Sequence, residues 1–365
     1  MTQLPATRRR RLATLLSGLA LASCTTPDLS PTAVAPSDAP LAAKPVGGGS
    51  VSYTVTDLGT AGHRESVAYD VNDVGIVVGE FHGTTGIHAF ARVNGQFITL
   101  ATASNHTAAR AVSNRSPAYV VGFVTPTSSS SRPVRWTIDG ATITGPDTLA
   151  FGRSNIATEV NDDGAAIGTA TIWGPDGEVA AEVDPPEGFT NLQLTDINNA
   201  GLVTLMAWGG AGLDRGFLRF PDGSMVVLAP PVGMEAYASQ ALEVSEQTGT
   251  LVHVAGRLWF DGTFYAARWT FDVVARTVTN VYAHPERSWA NGMSDSGTLT
   301  GGQGPYDAMR PYAWRLDGTA IALPVPKGGK QGYASAVSPN GKLMVGTAQF
   351  NSSDGHALLW SGSGP

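Results

Sequence analysis

Beyond residue 50 the apolar positions fall into short runs, separated every few residues by Gly, Asn, Asp or Pro. No segment there repeats apolar residues at i, i+3, i+4 and i+7, so the pattern predicts no helices. Short runs rich in Val, Ile, Thr and aromatics, bounded by turn formers, predict strands in tight hairpins. The runs also recur. Residues 68–79 set a template: Ala68, two free positions, apolar Val71, then Asn72, a turn, and an apolar strand ending at Gly79. Residues 109–122, 157–168, 241–256, 290–301 and 334–346 repeat it, with Ser113, Asn161, Ser245, Ser294 and Ser338 in the Asn72 place. Residues 194–205 are a weaker copy, with Asn198 in that place and Leu194 and Leu205 at its ends. Successive copies begin 41, 48, 37, 47, 49 and 44 residues apart.

A second motif follows most copies, running from His88 to Arg92, Arg132 to Trp136, Arg215 to Arg219, Tyr265 to Trp269, Arg310 to Trp314 and His356 to Trp360. A turn such as Asn94 with Gly95, or Asp139 with Gly140, comes next, and then another apolar strand. The third unit, near residues 169–188, shows no clear second motif. Each unit otherwise predicts four short strands. One four-stranded sheet cannot bury both faces, and units at this spacing bury them by packing radially. The expected fold is therefore an all-β propeller over residues 51–365, with seven four-stranded blades of about 45 residues each. The last unit ends in Ser361 to Pro365 without a fourth strand, while the run from Tyr53 to Leu58 has no unit of its own. Placing that run beside the last unit closes the ring and leaves no sheet edge unpaired at the seam.

The first fifty residues break the pattern. Arg8 to Arg11 form a positive cluster, Leu12 to Leu21 is an apolar stretch too short to span a bilayer, and Leu21, Ala22, Ser23 and Cys24 follow. This resembles the lipobox of bacterial lipoproteins. The resemblance implies that residues 1–23 are a signal peptide and that Cys24, the sole cysteine, carries the lipid anchor. Acyl chains gain about 0.8 kcal/mol per buried methylene, so several together hold a protein at a membrane. Thr25, rather than Asp, follows the cysteine, which favours the outer membrane or cell surface over inner-membrane retention. Residues 24–50 hold five prolines and the run Gly47 to Gly49, a composition that builds no core and reads as a flexible tether.

Composition narrows the partners. The chain carries a formal charge of −7, and loss of the four arginines would leave −11. Such a surface excludes nucleic acid, which needs a cationic face. A lone cysteine allows no internal disulfide, and a monomer is expected.

The first unit carries a family likeness. Asp57 to Thr60, the template at residues 68–79, and His88, Ala89 and Phe90 together resemble the extracellular HAF-repeat family of bacterial proteins. That likeness covers about 300 residues more loosely. It implies a secreted repeat protein of propeller-like structure, with no catalytic residues to carry over.

Enzyme motifs are absent: there is no His-Glu-x-x-His, no nucleophile elbow, no P-loop and no dinucleotide fingerprint. The seven histidines show no ligand spacing, and no cofactor is expected. Asp70, Glu159, Asp196 and Glu243 share the third motif position. They admit two readings, a carboxylate ring able to hold Ca²⁺, or hydrogen bonding to the backbone of the next blade, and the second is favoured. Trp136, Trp269, Trp314 and Trp360 recur in register as packing residues, whereas Trp173, Trp208, Trp259 and Trp289 do not. Trp289 and Tyr333 immediately precede the repeated Ala, and Tyr237 lies close to it. Loops entering the first strand open onto one end of a propeller, so these aromatics are expected to form a binding face with His63, Arg64, Glu65, Glu286 and Arg287. Aromatic faces with polar neighbours suit sugars or peptides. The leading expectation is a binding or adhesion module of the cell envelope for a glycan or protein ligand. A propeller hydrolase or lyase with a dispersed site, and a scaffold of an envelope complex, are the rivals.

Overall fold

The structure is a computed structural model that describes residues 52–100, 106–126, 130–210, 212–351 and 354–362. The proposed signal peptide, Cys24 and the tether lie outside the described residues. The described chain is all-β, with no α-helix and one short 3-10 turn at Tyr306–Ala308. Its strands form antiparallel groups of four in sequence order, and no sheet closes on itself. The first two groups share one sheet through a single parallel bridge between Ile87 and His106.

The template explains each group from its residues. The first strands are Glu65–Val71, His106–Val112, Glu159–Val160, Asn191–Ile197, Ala238–Val244, Ser288–Met293 and Gln331–Val337. Next comes the Asn or Ser position, buried in every copy. Its side-chain oxygen accepts the N–H that opens the return strand, as Asn72 does from Ile76 at 2.9 Å and Ser113 from Tyr119 at 2.9 Å. Asparagine has a second use: the amide of Asn72 donates to the Ser113 carbonyl and that of Asn161 to the Asn198 carbonyl, each in the next group. The closing Gly is steric. A Cβ on Gly79, Gly122 or Gly256 would sit 2.0, 1.9 or 2.0 Å from a carbonyl oxygen of the neighbouring strand.

The core lies between groups. Val78 and Ala91 of the first group pack with Val134 and Trp136 of the second, and Leu218 and Phe220 of the fourth with Val254 and Trp269 of the fifth. Val345 and Ala357 of the last group pack with Phe81 and Phe90 of the first. The Tyr53–Gly59 strand lies antiparallel beside Asp354–Gly362, with Tyr53 opposite Gly362 and Val55 opposite Trp360. The pairing expected from the unpaired N-terminal run is thus present.

One expectation needs correction. Trp173 does follow the register of the repeat tryptophans. It pairs with Ala166, as Trp136 pairs with Val120 and Trp269 with Val254. Its indole N–H donates to the Ala150 carbonyl at 2.8 Å, as Trp269 does to Ala229 at 2.7 Å. The third group is contracted to strands Ala166–Ile167 and Thr171–Trp173, so the motif is present in space but lost in spacing.

Candidate functional site

The first strands all contribute to the wall of one channel. A cavity of about 130 Å³ is lined from successive strands by Asp70, Val112, Glu159, Asp196, Glu243 and Met293, with Val337 from the last, and reaches the turns at Asn114 and Asn199. The turns after these strands are tied in series. The N–H of Asp73 donates to the Asn114 side chain, Asn114 to Asp162, Asp162 to Asn199, Asn199 to Glu246, and Glu246 to Asp295. Asp295 donates to the Pro339 carbonyl, and Asn340 donates back to Asp73 at 2.9 Å. Asp73 and Asp162 therefore serve as turn residues and as links.

The four channel carboxylates are not equivalent. Asp70 accepts from its own neighbour Val71 and from Val112 of the next group, at 2.7 and 2.8 Å. Asp196 does the same with Ile197 and Val244, at 2.7 Å each. Glu243 accepts from Met293. This is the backbone-bonding arrangement weighed from the sequence. The Glu159 side chain makes no hydrogen bond among the described residues, and the Ile197 N–H of the next group is taken by Asp196. Burial raises Asp70 to about 6 and Asp196 to about 7. Burial, then the charges of Asp196, Asp70 and Glu243, holds Glu159 well above the usual carboxylate range. No group of three His, Cys, Asp or Glu among the described residues is placed to hold a metal ion.

A second cavity, of about 310 Å³, shares Glu159 with the first and lies toward the starts of the first strands, away from those turns, as the other mouth of the channel. Five of its lining residues, Tyr69, Arg110, Thr158, Asn291 and Ser335, occupy the second motif position, one of those left free in the template. The remaining two are Glu159, which also lines the first cavity, and Tyr333. The backbone explains why second and third positions both face the channel. The pairing register shifts across the second position in six of the first strands, for example between Ala68 and Asp70 and between Ala334 and Ala336. A bulge places two residues opposite one and re-aims their side chains.

Buried polar partners hold the mouth. Tyr69 donates its hydroxyl to Glu80 at 2.8 Å, and the Arg110 guanidinium lies 4.1 Å over the Tyr69 ring and 3.8 Å from Glu80. Burial, offset by Arg110, raises the Tyr69 phenol. Opposite, the half-buried Arg257 donates to the side chain of Asn291, whose amide donates to the Ala334 carbonyl at 2.7 Å. The hydroxyls of Tyr333 and Ser335 join the Glu159 carboxyl in having no hydrogen-bond partner among the described residues.

Of the aromatic and charged residues expected to form a binding face, the structure brings only Tyr333 into this cavity. Trp289 sits edge-on to Phe264 and Tyr306, at 5.8 and 5.7 Å. Tyr237 stacks on Phe260 at 4.5 Å and His63 on Phe81 at 4.8 Å. Arg64 pairs with Glu65, which also meets His82, while Glu286 bonds Gln303. None of these, nor Arg287, lines either cavity. Sequence reasoning missed Tyr69, Arg110, Thr158, Asn291 and Ser335. Their signal was the variety at the second motif position, which differs from copy to copy because the repeat does not constrain it.

No protein-family model and no curated protein matches the chain. Among solved structures it is similar to the β-propeller domain of the Trilobed protease from Pyrococcus furiosus, with TM-score 0.51 and 10% identity over 82% of this chain and 95% of that one. The likeness is one of fold: a β-propeller. A prolyl endopeptidase structure aligns with TM-score 0.51 and 14% identity over 85% of this chain, and this chain spans 51% of that one. The Dos1 propeller aligns with TM-score 0.45 and 8% identity, over 85% of this chain and 94% of that one.

Proposed function

We propose that the chain is a cell-envelope lipoprotein of HAF-repeat type whose propeller binds a glycan or protein ligand at the mouth of its channel. In this reading the four-strand groups are seven blades of one ring, and the Tyr53–Gly59 strand completes the last. The serial hydrogen bonds that return to Asp73, and the packing of the last group on the first, support the ring. The lipobox-like run ending at Cys24 supports the anchor and an outer-membrane or cell-surface location. The observation that carries the binding role is the mouth cavity itself. It is concave, is lined by two tyrosines among five polar or charged residues, and holds three polar groups with no hydrogen-bond partner among the described residues. The test is a combined glycan and peptide array probed with the full chain and with Tyr333→Ala. Capture of a ligand by the first and loss of capture by the second, at an unchanged melting midpoint, is the expected result. No capture by the full chain, or capture insensitive to Tyr333, would remove the reading.

A further inference from the structure

Resting on the proposed binding role, we infer that the mouth cavity is a saccharide subsite that seats one pyranose ring of an uncharged glycan. Size sets the first limit. The cavity is about 310 Å³, at the small end of ligand pockets, which run from about 300 to 1,000 Å³. That is room for a single sugar ring and not for a folded peptide. Charge sets the second. Arg110 in the wall opposes a bare organic cation, while Asp70, raised only to about 6 and close enough to act on Glu159, keeps a negative charge there that opposes a bare anion. A ring of hydroxyls is neutral, and each hydroxyl both donates and accepts.

The lining matches that demand. Arg110 supplies donors, Glu159 a carboxyl with no hydrogen-bond partner among the described residues, and the Tyr333 and Ser335 hydroxyls work in either sense. An unpartnered polar group at a closed contact is costly, so these groups gain most from a ligand rich in hydroxyls. The Tyr333 ring, 40% exposed, offers an apolar face for the C–H side of a pyranose. The 3-10 turn carrying Tyr306 packs on the strand that carries Tyr333, and Tyr306 is 72% exposed. The aromatic surface thus continues outward from the cavity, where the next ring of a chain would lie. The donors do not have to be reorganised, because Glu80 holds Arg110 and Tyr69, and Arg257 holds Asn291.

The test is saturation-transfer NMR on the full chain with the methyl pyranosides of glucose, galactose, mannose and N-acetylglucosamine, beside butylamine and acetate as charged probes. At least one pyranoside is expected to bind, and neither charged probe. Tyr333→Ala and Ser335→Ala should each weaken it about tenfold, equal to about 1.4 kcal/mol. Both positions are at the channel surface, and circular dichroism of each variant reports whether the fold is kept. Should one variant fail to fold, the other decides. Absence of any pyranoside signal, a signal unmoved by the substitutions, or binding of butylamine alone would overturn the inference. If the array captures a peptide at the same mouth while every pyranoside fails, the binding role stands and the saccharide class falls. If neither binds, both fall.

Discussion

At the scale of single residues, the repeat is a set of local necessities. Glycine closes the motif because the neighbouring carbonyl leaves no room for a Cβ, and the case is most acute at Gly301, where that atom would lie 1.7 Å from the Trp289 oxygen. Gly301→Ala is expected to cost at least about 2 kcal/mol, in the upper part of the range for overpacking a tight site. Gly212→Ala, where a Cβ meets nothing within 4 Å, should change stability by less than about 0.5 kcal/mol. Urea unfolding of both variants checks the contrast, and equal losses would refute the steric account. The channel carboxylates give a second residue-scale prediction. Folding raises the Glu159 pKa well above 4.5, through burial first and then through Asp196, Asp70 and Glu243. A carboxyl raised by folding binds its proton more tightly in the folded state. Its contribution is therefore full below the unfolded pKa and lost as pH rises through the folded one. Glu159→Gln removes that linkage. The melting midpoint of the variant minus that of the parent should be near zero at pH 4 and positive by a few degrees at pH 7. About 1 kcal/mol moves a domain of 150–250 residues by about 2–4 °C, and a larger one by less. A difference that stays flat with pH would mean that Glu159 is not a raised, isolated acid.

At the scale of elements, the decisive object is the Tyr53–Gly59 strand. Tyr53 is buried, its hydroxyl donates to the Gly341 carbonyl at 3.2 Å, and Asp57 meets His356 at 2.9 Å. These contacts join positions some 300 residues apart, so the strand acts as the fourth member of the last group. Deleting residues 51–58 should lower the unfolding free energy by several kcal/mol, the sum expected from losing buried apolar side chains and uncovering an edge. Deleting residues 25–48, which have no core-forming composition, should leave it unchanged. If the two deletions behaved alike under thermal unfolding, the strand would not be structural. This element was legible in the sequence because the accounting was short by one strand at one end and long by one at the other. The third group was not, since its hairpin shrank between Ile167 and Thr171 and moved Trp173 out of the expected spacing while keeping it in the same contacts. Period survives in a sequence only while loop lengths do, whereas the packing position of a tryptophan survives as long as its neighbours do.

At the scale of the whole molecule, the mouth cavity is assembled from five first strands spread between Tyr69 and Ser335, so no local motif announces it. What the sequence carried was the third-position carboxylates, whose backbone partners follow from the repeat. What it withheld was the bulge, which turns a second, variable residue into the same channel and so replaces the expected rim of Trp289, Tyr237 and His63 with Tyr69, Arg110 and Asn291. The repeats follow a segment of opposite character in the sequence: four consecutive arginines, a short apolar run and a lone cysteine. No described helix is long and apolar enough to cross a membrane. A single acyl chain gives only marginal binding, and stable anchoring takes more than one, which the lipidated N-terminal cysteine of a lipoprotein supplies. Cys24→Ser should therefore abolish incorporation of labelled fatty acid and shift the protein from the membrane fraction to the soluble one. Its melting midpoint should not change, because Cys24 precedes the first repeat in the sequence by more than forty residues. Fatty-acid label that persists in the variant would remove the lipoprotein reading and leave the propeller and its mouth untouched. Loss of label with full retention in the membrane fraction would instead assign the attachment to the folded repeats themselves.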